Sequence, residues 1–357
     1  MNHVHLLLHN ELKFNTRLVK ILSLDSFADE HNIFVTNHEK VYSELKGYGV
    51  LFEKKSIHEL INKYAADNDY VFIHDLRKPL EILKVKKKYL NKIVWRTWGS
   101  DIGFITKLGD NFIVKVIKRF MTRSIRFRIR GFKLIGIANT VDVVSLKKAF
   151  GKIPDTICIP YTNPDINTYS TLKRIREEPI IMDHNDTNVL IEHSGHDHTH
   201  VEIMNILQKF KSNQIHLFVV LSYGKEEYIN RVKEYAEIHW KDKCTIITDF
   251  MDYDKYARLL SQMDIGIFAQ KNSYALGNIS ILSFFGKKFY FNRNGVLKEA
   301  FDIENIPCYC IDQIEQMSFD EFIMPTTYPK ECGKTILPQD STVIERWEDV
   351  FTYLNSK

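Results

Sequence analysis

Residues 263–286, MDIGIFAQKNSYALGNISILSFFG, set small and polar side chains between a short apolar run and an apolar helical pattern that opens near Gly277. A strand that passes into a helix through such a loop makes a seat for an anion. The first amides of the helix have no intrahelical partner, and the helix dipole favours negative charge there. Gly277 lets the backbone approach a ligand closely, Asn278 and Ser280 can add side-chain hydrogen bonds, and Tyr274 offers a ring to a base or a sugar. The same pattern also serves as a plain connection in any α/β protein, so it needs company.

Company comes from polar residues that fall just after other apolar runs. His193-Ser194-Gly195 and Ser222-Tyr223-Gly224-Lys225 each follow one, as does Asp249. Their glycines allow close backbone approach, and Lys225 and Arg293 can counter a phosphate charge. Nearer the start, the corresponding positions hold His74, Asp75, Arg96 and Asp101. Asp101 follows Trp95 and Trp98, whose rings can exclude water and lift a carboxylate toward a general-base role. Asp is equally a preferred helix N-cap, and a helix pattern starts at Ile102. His193, His196, His198 and His200 invite a metal reading, with His196 and His200 spaced i, i+4. Zinc sites usually add a ligand from a distant segment, so a solvent-facing loop is the simpler expectation.

The elements that must position these residues alternate. Short apolar runs end near Leu8, Thr36, His74, Arg96, Ala138 and Ile159, with helical spacings between them. After a polar stretch containing Pro160 and Pro164, a second alternation runs from Val189 to Ile311. Strands alternating with helices imply parallel sheets, with ligands at the carboxyl ends of the strands. The expected architecture is α/β, two Rossmann-like domains facing across a cleft: residues 1–165, then 180–335, with a helix over 340–357 packing across both.

Segment 107–133 carries nine Lys/Arg and one acid, interleaved with Phe, Ile and Val. A basic amphipathic helix suits an anionic membrane surface, and Lys118, Arg119 and Arg123 are the cations that would meet lipid headgroups. Nucleic acid, or an ordinary half-buried helix, would fit the same composition. The net charge of +4 gives no general reason to expect nucleic acid, and none is expected as a partner. No segment is long and apolar enough to span a bilayer, and the first residues are interrupted by Glu11 and Lys13 too soon for a signal peptide. Five scattered cysteines without a CxxC pair read as reduced thiols in the cytoplasm.

Trp95-Arg96-Thr97-Trp98-Gly99-Ser100-Asp101, then Ser194-Gly195, Tyr223-Gly224, Asp252-Tyr253-Asp254-Lys255-Tyr256-Ala257, Met263-Asp264-Ile265-Gly266, Gly277 and Asn292-Arg293 resemble, in order and wording, the bacterial TDP-Fuc4NAc transferases. These are also labelled 4-α-L-fucosyltransferases and extend lipid-linked enterobacterial common antigen. The resemblance implies a GT-B fold, with nucleotide sugar held by the C-terminal domain and acceptor by the N-terminal one. It implies no required metal or other cofactor.

The expectation is then a glycosyltransferase. It would move a hexose from a TDP- or UDP-linked donor to a polyprenyl-diphosphate-linked oligosaccharide, peripherally on the inner membrane face. Asp101 is the expected base, with His74 as the alternative. His193, Ser194, Gly195, Tyr223, Gly224, Lys225, Tyr274, Gly277, Asn278, Ser280 and Arg293 would hold the donor. Arg96, Lys118, Arg119 and Arg123 would meet the acceptor and membrane. A soluble acceptor, or a non-catalytic nucleotide-sugar-binding module, is the competing expectation.

Overall fold

The computed structural model describes residues 1–99, 101–102, 122–160, 168–178, 186–191, 198–327 and 340–356. The chain divides into two compact units, Met1–Ile166 with Pro338–Lys357, and Asn167–Leu337. Each is built on one wholly parallel sheet.

The first sheet has seven strands: β1 (Asn2–Leu7), β2 (His31–Thr36), β3 (Leu51–Phe52), β4 (Tyr70–His74), β5 (Ile93–Arg96), β6 (Leu134–Ile137) and β7 (Thr156–Cys158). Their order is β3-β2-β1-β4-β5-β6-β7, so the winding reverses between β1 and β4. That reversal opens a crevice at the carboxyl ends of these two strands. Alternation within each strand splits the core in two. Val4, Leu6, Val71, Ile73 and Trp95 point to a layer that includes the helices Ile57–Asp67 and Thr140–Phe150. Leu7, Phe72 and Val94 point to the opposite layer, with the helices Leu12–Leu22 and Asp340–Asn355.

The C-terminal helix Asp340–Asn355 belongs to the first unit, where Val343, Trp347, Val350, Phe351 and Leu354 are buried against the sheet. Its far end is tied there by Tyr353 donating to Asp155 (2.6 Å) and by Asn355 donating to Glu30 (3.0 Å). An apolar stripe at helical spacing says that a helix packs, but not on which sheet.

The second sheet has six strands: β8 (Thr187–Ile191), β9 (Ile215–Val220), β10 (Cys244–Ile247), β11 (Ile265–Phe268), β12 (Lys288–Phe291) and β13 (Tyr309–Cys310). The order β10-β9-β8-β11-β12-β13 reverses between β8 and β11. Residues 192–197, which follow β8, are outside the described set; the loop after β11 leads into the helix Leu276–Phe284.

The described part of the basic segment is a helix over 122–129. Ile125 and Ile129 are buried in the first core, so these two apolar residues face protein. Arg128 donates to the carbonyls of Val85 and Leu83 (2.6 and 3.0 Å). Arg123 is exposed, and Phe127 is 64% exposed. Lys118 and Arg119 lie outside the described residues. Among the described residues, no helix is long and apolar enough to cross a membrane.

Candidate active site

The loop after β5 is held from every side. Thr97 donates its backbone N–H and its hydroxyl to the carbonyl of Gly136 (2.9 and 3.1 Å). The hydroxyl also lies 3.1 Å from Asp142, a buried carboxylate that accepts the Ala138 N–H. Gly99 takes a positive φ of 75° to turn the chain. Gly136 has a different reason to be glycine. A Cβ there would lie 2.6 Å from Ile159 and 3.2 Å from the Arg96 stem.

Asp101 is the centre of this arrangement. It is completely buried and accepts four hydrogen bonds. Oδ2 receives the Leu76 N–H (3.1 Å) and the Trp95 indole N–H (2.9 Å), and Oδ1 the N–H groups of Trp98 and Ile102 (both 2.9 Å). Burial pushes its pKa up, while these donors pull it back. A carboxylate with both oxygens engaged in this way holds two loops together. The geometry of Asp101 therefore matches the cap-like, positioning alternative.

His74 ends β4 at the point where the winding reverses. It lines an open pocket with His9, Phe14, Leu18, Arg96, Trp98, Pro160 and Trp347. Burial, then the neighbouring His5 and Arg96, holds its pKa well below 6.5, so the imidazole is neutral. His9, just past β1, is likewise lowered to about 3, chiefly by burial. Its Nδ1 accepts the Glu11 N–H (3.2 Å), and its ring lies 4.3 Å from that of Trp98. Arg96 is 4% exposed and donates to the carbonyls of Thr97 (2.8 Å) and Ile159 (2.5 Å). A buried guanidinium beside aromatic walls suits an amphiphilic ligand with an anionic group.

Next to His74, Asp75 adopts φ 78°, a left-handed conformation that costs a non-glycine residue energy. Its side chain is 1% exposed, neither oxygen accepts a well-formed hydrogen bond, and Arg77 Nε sits 2.5 Å from Oδ2. Burial, reinforced by Asp101, raises its pKa to about 7 from an ordinary 3.8. Between those values the folded chain binds the extra proton, so stability falls as pH rises from about 4 to about 7. Asp75→Asn keeps a side chain that tolerates positive φ and removes the charge. Urea midpoints of this variant should decline less between pH 5 and pH 8 than those of the parent.

In the second unit, the left-handed residue at the turn into Leu276–Phe284 is Ala275 (φ 61°), not a glycine. Gly277 sits in the first turn of the helix with open space where a Cβ would go. Asn278 is hydrogen-bonded to Tyr256, a phenol that burial raises to about 12. Ser280 donates to the Leu276 carbonyl (2.7 Å), so its hydroxyl serves its own helix and not an anion. Arg293 is clamped by Asp312 at 2.7 and 3.1 Å, an exposed pair that already matches its charge. Tyr223 is 53% exposed and meets Phe250 edge to face at 4.9 Å. Gly224 has φ 142°, and Lys225 begins the helix Glu226–His239. The Tyr274 carbonyl is held by Gln270 (3.0 Å). His193, Ser194, Gly195 and His196 lie outside the described residues. His198 stacks on Tyr228 at 4.1 Å, and His200 is hydrogen-bonded to the same phenol (3.1 Å). Among the described residues, no three His, Cys, Asp or Glu side chains gather as a metal site would require.

Sequence reasoning missed His9, Phe14, Leu18 and Trp347 in the lining of the first pocket, and His5 behind His74. The alternation in His3-Val4-His5-Leu6-Leu7-Leu8-His9 was the available signal, because period two puts His3 and His5 on one face of β1.

Known structures share this architecture. HepE from Anabaena, solved with UDP, is 12% identical over 100% of both chains, with a TM-score of 0.58. A glycosyltransferase from Rickettsia africae is 13% identical over 99% of this chain and 98% of its own, with a TM-score of 0.57. Sucrose-phosphate synthase from Thermosynechococcus elongatus is 10% identical over 100% of both, with a TM-score of 0.56. These likenesses establish the fold as GT-B, two Rossmann-like units in one chain. The sequence itself is matched over residues 13–323 by the model of one family. With the pocket and both sheets described, that match assigns the chain: it belongs to the 4-alpha-L-fucosyltransferase family, glycosyltransferase group 56, and is a glycosyltransferase.

Proposed function

We propose that the enzyme moves a hexosyl group, of the 4-acetamido-4,6-dideoxy type, from a TDP- or UDP-linked sugar to a polyprenyl-diphosphate-linked oligosaccharide on the inner membrane face. The observation that carries this is the first-unit pocket, in which His74 shares a lining with Arg96 and with Phe14, Leu18, Trp98 and Trp347. A neutral imidazole takes the proton of the acceptor hydroxyl as that oxygen bonds to the anomeric carbon. The anomeric bond to the diphosphate breaks, and the nucleoside diphosphate leaves with the electron pair. Arg96 suits the acceptor's own diphosphate, and the apolar walls suit the start of its lipid.

The donor role falls to the carboxyl ends of the second sheet. There the amides that open the helix Leu276–Phe284, together with Lys225, would meet the developing charge on the diphosphate. Tyr223, Gly224, Tyr274, Gly277 and Asn278 complete the proposed seat; His193, Ser194 and Gly195, also proposed for the donor, lie outside the described residues. Ser280 and Arg293 are left out of it because their polar groups are engaged. Exposed Arg123 and Phe127 support contact with an anionic bilayer. UDP bound to HepE is consistent with a uridine or thymidine diphosphate donor.

The test is transfer from a panel of TDP-, UDP- and GDP-sugars to the same oligosaccharide with and without its prenyl diphosphate, in anionic vesicles. Turnover should require a TDP- or UDP-sugar and the lipid-linked acceptor. Equal turnover with the free oligosaccharide, and no flotation with vesicles, would overturn the acceptor assignment.

A further inference from the structure

Behind His74 runs a chain of two polar side chains, His5 and Asn32, that nothing in the transfer step itself requires. His5 Nδ1 lies 3.1 Å from His74 Nε2, and His5 Nε2 lies 2.9 Å from Asn32 Oδ1. The far end of the chain is fixed by backbone. Asn32 Nδ2 donates to the Leu22 carbonyl (3.3 Å), and a carbonyl can only accept. The amide therefore turns its oxygen, not its nitrogen, toward His5. That oxygen also only accepts, so His5 carries its proton on Nε2 and presents a bare Nδ1. His74 must then donate from Nε2.

We infer that Asn32 and His5 are positioning residues that lock His74 in the Nε2–H tautomer, leaving Nδ1 as the lone pair that receives the acceptor's proton. The locking works because each imidazole is neutral and offers one donor and one acceptor. Burial holds His5 near 3, and His74 well below its ordinary value. The charged and titratable neighbours are His3 on the His5 side, and His9 and Arg96 on the His74 side. All oppose protonation of the pair when charged. Packing holds the ring planes: His5 stacks on Phe72 at 4.4 Å and on His74 at 5.4 Å, with Trp347 edge-on at 5.8 Å. A wrong tautomer would present an N–H to the acceptor hydroxyl in place of a lone pair, as in other sites where a polar partner fixes a catalytic histidine.

This inference rests on His74 being the base, and the two can fail separately. Long-range nitrogen–proton NMR of the full chain, labelled at histidine, reads each ring's tautomer without any turnover. Both His5 and His74 should show Nε2–H from pH 6 to pH 9. Asn32→Leu should give mixed tautomers in both rings and lower kcat about tenfold with KM unchanged. Asn32→Asp, which restores an acceptor oxygen, should recover the single tautomer. It should also move the acid limb of the kcat profile to higher pH, because a carboxylate favours imidazolium. Nδ1–H on His74 in the parent protein, or an unchanged tautomer pattern in Asn32→Leu, would overturn the relay. If the tautomers are as stated but His74→Gln retains full turnover, the relay stands and the base assignment falls.

Discussion

His74→Gln lowers kcat on the order of a hundred- to ten-thousand-fold, the span that general-base removal produces. The fold should tolerate the change, since glutamine can keep a donor toward His5 Nδ1 from a chain of similar reach. Nucleotide binding should survive, because the proposed donor seat is built entirely from the second unit. Rapid-quench transfer would measure the loss, and a nucleotide-induced shift in melting temperature would check the retained binding. The contrast matters because His9 shares the pocket and is also a neutral histidine. If His9→Gln gives the larger loss and His74→Gln almost none, the base is His9.

Asp101→Asn damages the protein through a different route. Asparagine offers one acceptor oxygen where the carboxylate offers two, and its amide nitrogen would face N–H donors from Leu76 and Trp95 or from Trp98 and Ile102. Two hydrogen bonds to a charged acceptor are worth about 3–6 kcal/mol net. The charge itself is disfavoured by burial, which trims the expected loss to about 2–4 kcal/mol. Urea unfolding should show this as a lower midpoint with the slope unchanged. Turnover should fall with it, because Trp98 and Leu76 flank groups that line or border the pocket. Were Asp101 the base, the same variant would lose turnover at parental stability, so the pair of measurements separates the two roles.

The sequence carried the layered fold because alternation of period two and period 3.6 is a local signal, repeated in both halves. It also carried the candidate loops, since ligand loops in parallel sheets follow the strand ends. It did not carry which polar side chain in a loop is engaged. Asp101, Ser280 and Arg293 all looked available, and each turns out to have partners whose identity depends on three-dimensional neighbours: Leu76 and Trp95, the Leu276 carbonyl, and Asp312. His5 was passed over for the opposite reason. Inside an apolar run it reads as core, and its connection to His74 spans 69 positions of sequence. Strand order was equally hidden. Only the pairing of β1 with both β2 and β4 brings His9 and His74 to one crevice.

The return of the helix Asp340–Asn355 to the first unit has a consequence for biosynthesis. Trp347 is one wall of the pocket and packs on both His5 and His74. The ribosome must therefore make all of the second unit before the first can be finished. Until then a nascent chain would display the apolar patch around Phe72, Phe27 and Val94 that this helix covers. The second unit can mature early, whereas the first unit, with its pocket, is assembled last.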